Sequence, residues 1–72
     1  MRTKKSAELV KEGDFVAEVP VELFYDDHEW SPYLSSSDLQ KLDTVRLALR
    51  NGDIRAAARE AKVYTLQPVA AG

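Results

Sequence analysis

The amino-acid sequence predicts a small α+β domain, in which two short helices pack on one face of an antiparallel sheet in the order β-β-α-α-β. The first observation is an alternation of apolar and polar residues over 15–25, which is typical of a strand with one buried face. The second is a pair of helical segments, 37–50 and 54–61, separated by an Asn-Gly pair. The third is a strand-like composition in the residues before and after these helical segments. A chain of 72 residues holds one small core, so we expect a single domain over 1–72.

The stretch over residues 15–25 is the strand against which the rest of the domain is expected to pack. β-branched and aromatic side chains dominate it, as expected for a half-buried pleated surface. Its apolar positions are Phe15, Ala17, Val19, Val21, Leu23 and Tyr25. Because Pro20 has no N–H to donate, this is expected to be an edge strand or to have a break in its pairing near residue 20.

A hairpin is expected to form between this strand and the residues before it. Residues 5–10 predict a shorter first strand, and Gly13 supplies the positive φ that a tight turn needs. Residues 1–4 and 70–72 are expected to be disordered, as chain ends often are.

Residues 26–37 follow neither a helical nor a strand period, and we expect an ordered loop there. Trp30, Tyr33 and Leu34 are expected to hold this loop beneath the helices. Two large aromatic side chains in a polar loop either close the core or anchor a partner. Core closure is the commoner role in small domains.

The first helix is expected to begin with a capping box from Ser37 to Gln40. Its predicted buried face consists of Leu39, Leu42, Val45 and Leu49. Asp53 is the expected N-cap of the second helix. Residues 62–69 return to a strand-like composition, and Pro68 is expected to end that strand or to place it at an edge.

The composition excludes several classes of protein. The chain has no cysteine and no apolar run near the roughly 20 residues of a membrane span, and its basic start lacks the apolar core of a signal peptide. We therefore expect a cytoplasmic protein with no disulfide and no membrane contact. Since a core this small is often completed by another chain, a homo-oligomer is a further expectation.

No motif in the sequence predicts catalysis. Residues 26–29 form the only cluster of metal-ligand types, and they lack the spacing of known sites. His28 has no nucleophile and orienting carboxylate at a recognisable spacing. We expect no enzyme activity, no metal and no cofactor.

Charge is unevenly placed along the chain. Residues 1–40 carry four basic and nine acidic side chains, a net charge of −5, whereas residues 41–62 carry six basic and three acidic ones, a net charge of +3. These are either solvated faces or an acidic sheet side and a basic helical side that steer a charged partner.

A small DNA-binding regulator is one alternative function, and it would use the basic helical side. The arginines concerned are Arg46, Arg50, Arg55 and Arg59. Residues 51–61 resemble the first helix of a Fis-type helix-turn-helix. The segment that follows predicts a strand in place of a recognition helix, so nucleic acid is the less favoured partner.

A pattern that covers most of the chain runs through residues 13–23 and 30–35, continues through 41–43, 45–50 and 52–53, and ends at 63–69. In this pattern the chain resembles the antitoxins of bacterial type II toxin–antitoxin modules. The resemblance implies a non-catalytic protein that binds and silences a cognate toxin, commonly one with a basic, ribonuclease-like fold. Many antitoxins also carry a DNA-binding segment, and none is evident here.

The residues expected to bind such a toxin are acidic and aromatic side chains of the long strand and the loop. They are Glu18, Glu22, Asp26, Asp27, Glu29, Trp30 and Tyr33. The carboxylates would complement a positive RNA-cleaving site, an aromatic side chain would serve as an anchor, and edge-strand pairing would add backbone hydrogen bonds. A structural interaction module of some other complex is the second alternative.

Overall fold

The structure, a computed structural model, describes residues 2–27 and 31–70. Two helices cover one face of a four-stranded antiparallel sheet, which confirms the predicted α+β class. The elements in chain order are β1 (Arg2–Glu12), β2 (Phe15–Tyr25), β3 (Tyr33–Leu34), α1 (Ser36–Arg50), α2 (Ile54–Glu60) and β4 (Lys62–Thr65). The order is β-β-β-α-α-β, since the segment predicted to be a loop contains the two-residue strand β3.

β1 and β2 form an antiparallel hairpin over their full length, from Arg2 opposite Tyr25 to Glu12 opposite Phe15. Its turn has two residues, and the first of them, Gly13, has a φ of 58°. A positive φ at this position is what a type II′ hairpin turn requires, and glycine adopts it without strain.

The expected disorder of residues 2–4 is wrong, because these residues belong to β1 and pair with the last residues of β2. Polar side chains do not prevent strand pairing, since the ladder is made by the backbone. The guanidinium of Arg2 also lies 5.6 Å from the centre of the Tyr25 ring. Residues 1 and 71–72, which were expected to be disordered as well, lie outside the described residues.

β2 is the centre of the sheet, since it pairs with β1 on one edge and with both β4 and β3 on the other. β4 covers Phe15 to Glu18, and β3 covers Leu23 and Phe24. Pro20 lies in the gap between them. Of the two predictions made from this proline, the edge strand is therefore wrong and the broken pairing is confirmed.

The first turn of α1 supplies a partner to β2 inside this gap. The Oδ2 atom of Asp38 accepts a hydrogen bond from the backbone N–H of Glu22 at 2.9 Å. The turn itself is capped by Ser35, whose Oγ accepts from the N–H of Asp38 at 3.2 Å. The prediction that Ser37 caps the helix is wrong, because the helix has already begun one residue earlier.

The core lies between the sheet and the helices, with α1 over β1 and β2 and α2 over β2 and β4. Its buried residues are Val10, Ala17, Val19 and Val21 from the sheet, and Val45, Ala48, Leu49 and Ala57 from the helices. Leu39 was predicted to share this buried face, but it is 53% exposed. At about 100° per residue, it lies about 120° around the helix from Val45.

The second helix follows a tight turn in which Gly52 has a φ of 75°. Asp53 caps this helix as predicted, since its Oδ1 accepts from the N–H of Ala56 at 3.1 Å. β4 confirms the strand predicted after the helices, but it ends at Thr65, three residues before Pro68. This short strand pairs only with the first part of β2.

Replacement of Asp38 tests the importance of the gap in the ladder. We expect Asp38→Ala to lower the free energy of unfolding by about 2 kcal/mol, because it removes a charged acceptor from the partly buried N–H of Glu22. Urea denaturation measures this loss, and amide exchange at Glu22 should become faster. Asp43→Ala is the control: its carboxylate is 77% exposed and lies 3.9 Å from Arg46, so the loss should stay within about 0.5 kcal/mol. Equal losses in both variants would contradict this role of Asp38.

Candidate functional site: the open face of the sheet

The helices leave one face of the sheet uncovered, and this open face is the candidate functional site. Side chains alternate along a strand, and the buried residues of β2 occupy odd positions, so its even positions point away from the helices. Residues directly opposite one another in an antiparallel ladder share a face. The open face therefore consists of Thr3, Lys5, Ala7, Leu9 and Lys11 from β1, Val16, Glu18, Pro20, Glu22 and Phe24 from β2, Tyr33 from β3, and Lys62 and Tyr64 from β4.

Large apolar side chains are exposed at one end of the open face. Leu9 is 69% exposed and Tyr64 is 49% exposed. Tyr64 lies directly opposite Val16. Leu9 lies opposite Glu18, which makes it a diagonal neighbour of Val16 on the same face. Leu66, two residues beyond Tyr64, is exposed as well. Neighbouring exposed apolar side chains make this end of the face a candidate interaction site.

The other end of the open face is aromatic. Phe24 and Tyr33 lie opposite each other in the ladder and stack, with ring centroids 5.6 Å apart and an angle of 20° between the rings. Tyr33 was expected beneath the helices, and this expectation is wrong: it lies on the open face and is 40% exposed. Its neighbour Leu34 points the other way and packs against the core, as predicted.

The charges of the open face are of both signs. Lys62 lies opposite Glu18, and Lys5 lies opposite Glu22. With Lys11, the face carries three ammonium groups and two carboxylates. The expected acidic sheet side is therefore not formed on this face, because the ladder brings lysines from distant parts of the sequence next to the glutamates.

Three of the residues predicted to bind a partner lie together on the open face, namely Glu18, Glu22 and Tyr33. Two more, Asp26 and Asp27, follow β2 directly, at the end of the sheet where the aromatic pair stacks. The described acidic residues thus extend along β2 and past its end. Asp26 and Asp27 place two further carboxylates at the aromatic end of the sheet.

The remaining residues of the predicted site fall outside the described part of the chain. They are Glu29 and Trp30, together with the neighbouring His28. Whether Trp30 closes the core or anchors a partner stays a prediction. Within residues 2–27 and 31–70, no group of three or more His, Cys, Asp or Glu side chains is close enough to hold a metal ion.

Sequence reasoning did not select Leu9, Val16 and Tyr64, which give the open face its apolar character. The alternation of Val63 with Tyr64 is visible in the sequence and predicts a strand. Which of the two faces solvent depends on the register of β4 against β2, which places Val63 opposite the buried Ala17. That register is a long-range property, so the sequence alone predicts the strand but not its exposed face.

Two of the four arginines of the alternative DNA-binding surface are paired with the same carboxylate. Arg50 donates a hydrogen bond to Glu12 at 3.0 Å, and Arg46 lies 3.9 Å from the same carboxylate. Arg55 and Arg59 are exposed on α2, where they form no ion pair with any residue that the structure describes. The segment after α2 is the strand β4, so the second helix of a helix-turn-helix is not present there.

The domain exposes more surface than its mass requires. Its accessible surface is 5676 Å² for 8.1 kDa, against about 4,500 Å² for a typical compact monomer of that mass. Its radius of gyration is 14.5 Å, against about 11 Å for a compact domain of this length. The eleven-residue strands of the hairpin contribute to this extended form.

No family model matches the chain, and neither the curated proteins nor the solved structures gave a match. No helix in the described ranges is long and apolar enough to cross a membrane. The function of the domain therefore has to be inferred from its own surfaces.

Two adjacent residues of β1 test which face of the sheet is open. Leu9 points to the open face, whereas Val10 is 2% exposed and lies in the core. We expect Leu9→Lys to change the free energy of unfolding by no more than about 0.5 kcal/mol, and Val10→Lys to lower it by about 3 kcal/mol or more, because only the second buries an unpaired charge. Thermal or urea unfolding distinguishes the two. A severe loss in Leu9→Lys would mean that the open face is covered in the isolated domain.

Proposed function

We propose that this domain is a non-catalytic binding protein that holds a small, basic, ribonuclease-like toxin of the type II toxin–antitoxin class against the open face of its sheet. The observation that carries the proposal is the apolar group formed by the exposed Leu9 and Tyr64 and the half-buried Val16, on a face that neither helix covers. A monomer would gain by covering such a group, and aromatic side chains are frequent anchors of protein interfaces.

The preference for a basic partner comes from the end of the open face beyond β2. Asp26 and Asp27 follow the stacked pair of Phe24 and Tyr33, so an aromatic anchor and acidic groups are close together there. A basic protein docked with its apolar surface on the sheet would meet carboxylates at this end. Over the rest of the face, the mixed charges favour a partner that offers both signs, which contributes to specificity more than to affinity.

In this proposal the domain inhibits by occupying its partner, and it catalyses no reaction. Two grooves lie beside Pro20. The larger, of about 380 Å³, is lined mainly by small side chains, including Ala7, Ala58 and Ala61.

The experiment uses the protein encoded next to the gene for this domain, purified and titrated against the domain by calorimetry. We expect Tyr64→Ala to weaken binding at least tenfold, as the loss of an interface anchor does. Leu47→Ala is the control, since Leu47 is 54% exposed but lies on α1, away from the open face. That variant should bind as the unmodified domain does. Unchanged binding by Tyr64→Ala, or a neighbouring gene that encodes no small basic protein, would contradict the proposal.

Charge reversal tests the acidic end in the same assay. The double variant Asp26→Lys, Asp27→Lys should slow association and reduce its dependence on salt, because steering by charge acts mainly on the association rate. The matched change on the opposite side of the molecule is Arg55→Glu with Arg59→Glu, which should have little effect. Loss of binding in the arginine variant alone would identify the helical side as the interface.

A further inference from the structure

β1 is an edge strand whose outer edge has no partner among the residues that the structure describes. The sheet order places it at one end, and all eleven of its residues pair with β2 on the inner edge. All residues of this strand are exposed except Ser6, Val10 and Glu12. An edge strand of this length, with no proline, is a template for pairing with another strand.

The backbone groups that face this outer edge can be identified from the bonds of β2. The N–H of Glu22 is bonded to Asp38, and the carbonyl of Asp14 accepts from the N–H of Leu66 at 2.6 Å, so the even residues of β2 face away from β1. In an antiparallel ladder, the backbone N–H and C=O groups of two opposite residues either point toward each other or both point away from each other. Lys5, which is opposite Glu22, therefore turns its backbone N–H and C=O to the outer edge, as do the other odd residues of β1.

We propose that a second copy of this chain pairs with this edge, in an antiparallel ladder in which Ala7 lies opposite Ala7 of the second copy. The odd residues of the two strands would then form hydrogen-bonded pairs, with about ten backbone hydrogen bonds between the copies. The occupant is a second copy because the strand is complementary to itself. Arg2 of each copy lies opposite Glu12 of the other, and Lys4 lies between Glu8 and Glu12 of the other on the same face.

Symmetry and charge together select this register. In a pair of strands related by a two-fold axis, opposite residues lie on the same face of the sheet. Each possible register is then defined by the central residue, which lies opposite its own copy. If Lys5 is the central residue, the two Lys5 side chains lie opposite each other. If Glu8 is the central residue, the two Glu8 side chains lie opposite each other and each Lys5 lies opposite Lys11 of the other copy. The centre at Ala7 pairs all eleven residues of β1 with no like charges directly opposite, whereas centres at Ser6 or Leu9 pair fewer residues.

This pairing would join the two sheets into one continuous sheet with the helices of both copies on the same side. The open faces would then also be continuous, and the two Leu9 side chains would lie on one surface. The inference does not depend on the nature of the toxin, since it concerns an edge of the sheet that the proposed binding face leaves available.

A single cysteine tests the register directly, because the chain has no cysteine of its own. Cα atoms of a hydrogen-bonded pair are about 5.5 Å apart, within the range of a disulfide, so Ala7→Cys should form a covalent dimer under mild oxidation. Leu9→Cys is the control: in this register its two copies are about 14 Å apart, and it should remain uncrosslinked. Crosslinking of Leu9→Cys in preference to Ala7→Cys would overturn the register.

Analytical ultracentrifugation of the full chain tests the association itself. We expect the unmodified chain and Ala7→Val to sediment as dimers, and Ala7→Pro to sediment as a folded monomer, because proline removes an N–H only from the outer edge. Circular dichroism checks that the proline variant is folded. The proposal would be overturned if the unmodified chain remained monomeric up to concentrations on the order of 100 micromolar, where weak dimers form. The proposal would also be overturned if Ala7→Pro, and no other variant, abolished the complex with the protein encoded by the neighbouring gene. The occupant of the edge would then be that partner.

Discussion

A strand at the centre of a sheet must find partners for the backbone groups on both of its edges, and β2 finds them in four different elements. β1 covers one edge completely. On the other edge, β4 and β3 cover the two ends, and the carboxylate of Asp38 accepts from Glu22 between them. Residues two apart face the same edge, so the nitrogen of Pro20 points into this gap and has no hydrogen that needs a partner. The proline therefore occupies the position on the central strand where an uncovered edge costs least.

This arrangement determines which surfaces remain for a partner. The bond from Asp38 holds the start of α1 at the gap, and the two helices then cover the face on which Val19 and Val45 are buried. None of the described helices or strands covers the opposite face, where Leu9 and Tyr64 are exposed. The outer edge of β1 also has no partner strand within residues 2–27 and 31–70, since the short β4 pairs with β2. A chain with one thin core thus leaves both a face and an edge of its sheet available.

Local patterns in the sequence were sufficient for the strand Phe15–Tyr25, the two helices and the N-cap Asp53, because a period or a cap involves neighbouring residues. They were insufficient for residues 2–4, whose order depends on pairing with the far end of β2. The candidate site shows the same division. Glu18 and Glu22 were identifiable as one side of a strand, but the lysines opposite them come from β1 and β4, and only the register brings them there.

Chemical-shift mapping distinguishes the open face of the sheet from the helical side as the surface that binds a partner. The ¹⁵N-labelled domain is titrated with the protein encoded next to it, and the shifted amides are assigned. We expect the largest shifts on β2 and β4 around Val16, Phe24 and Tyr64, with little change on the exposed side of α2. Shifts concentrated at Arg55 and Arg59, with the sheet amides unchanged, would contradict it.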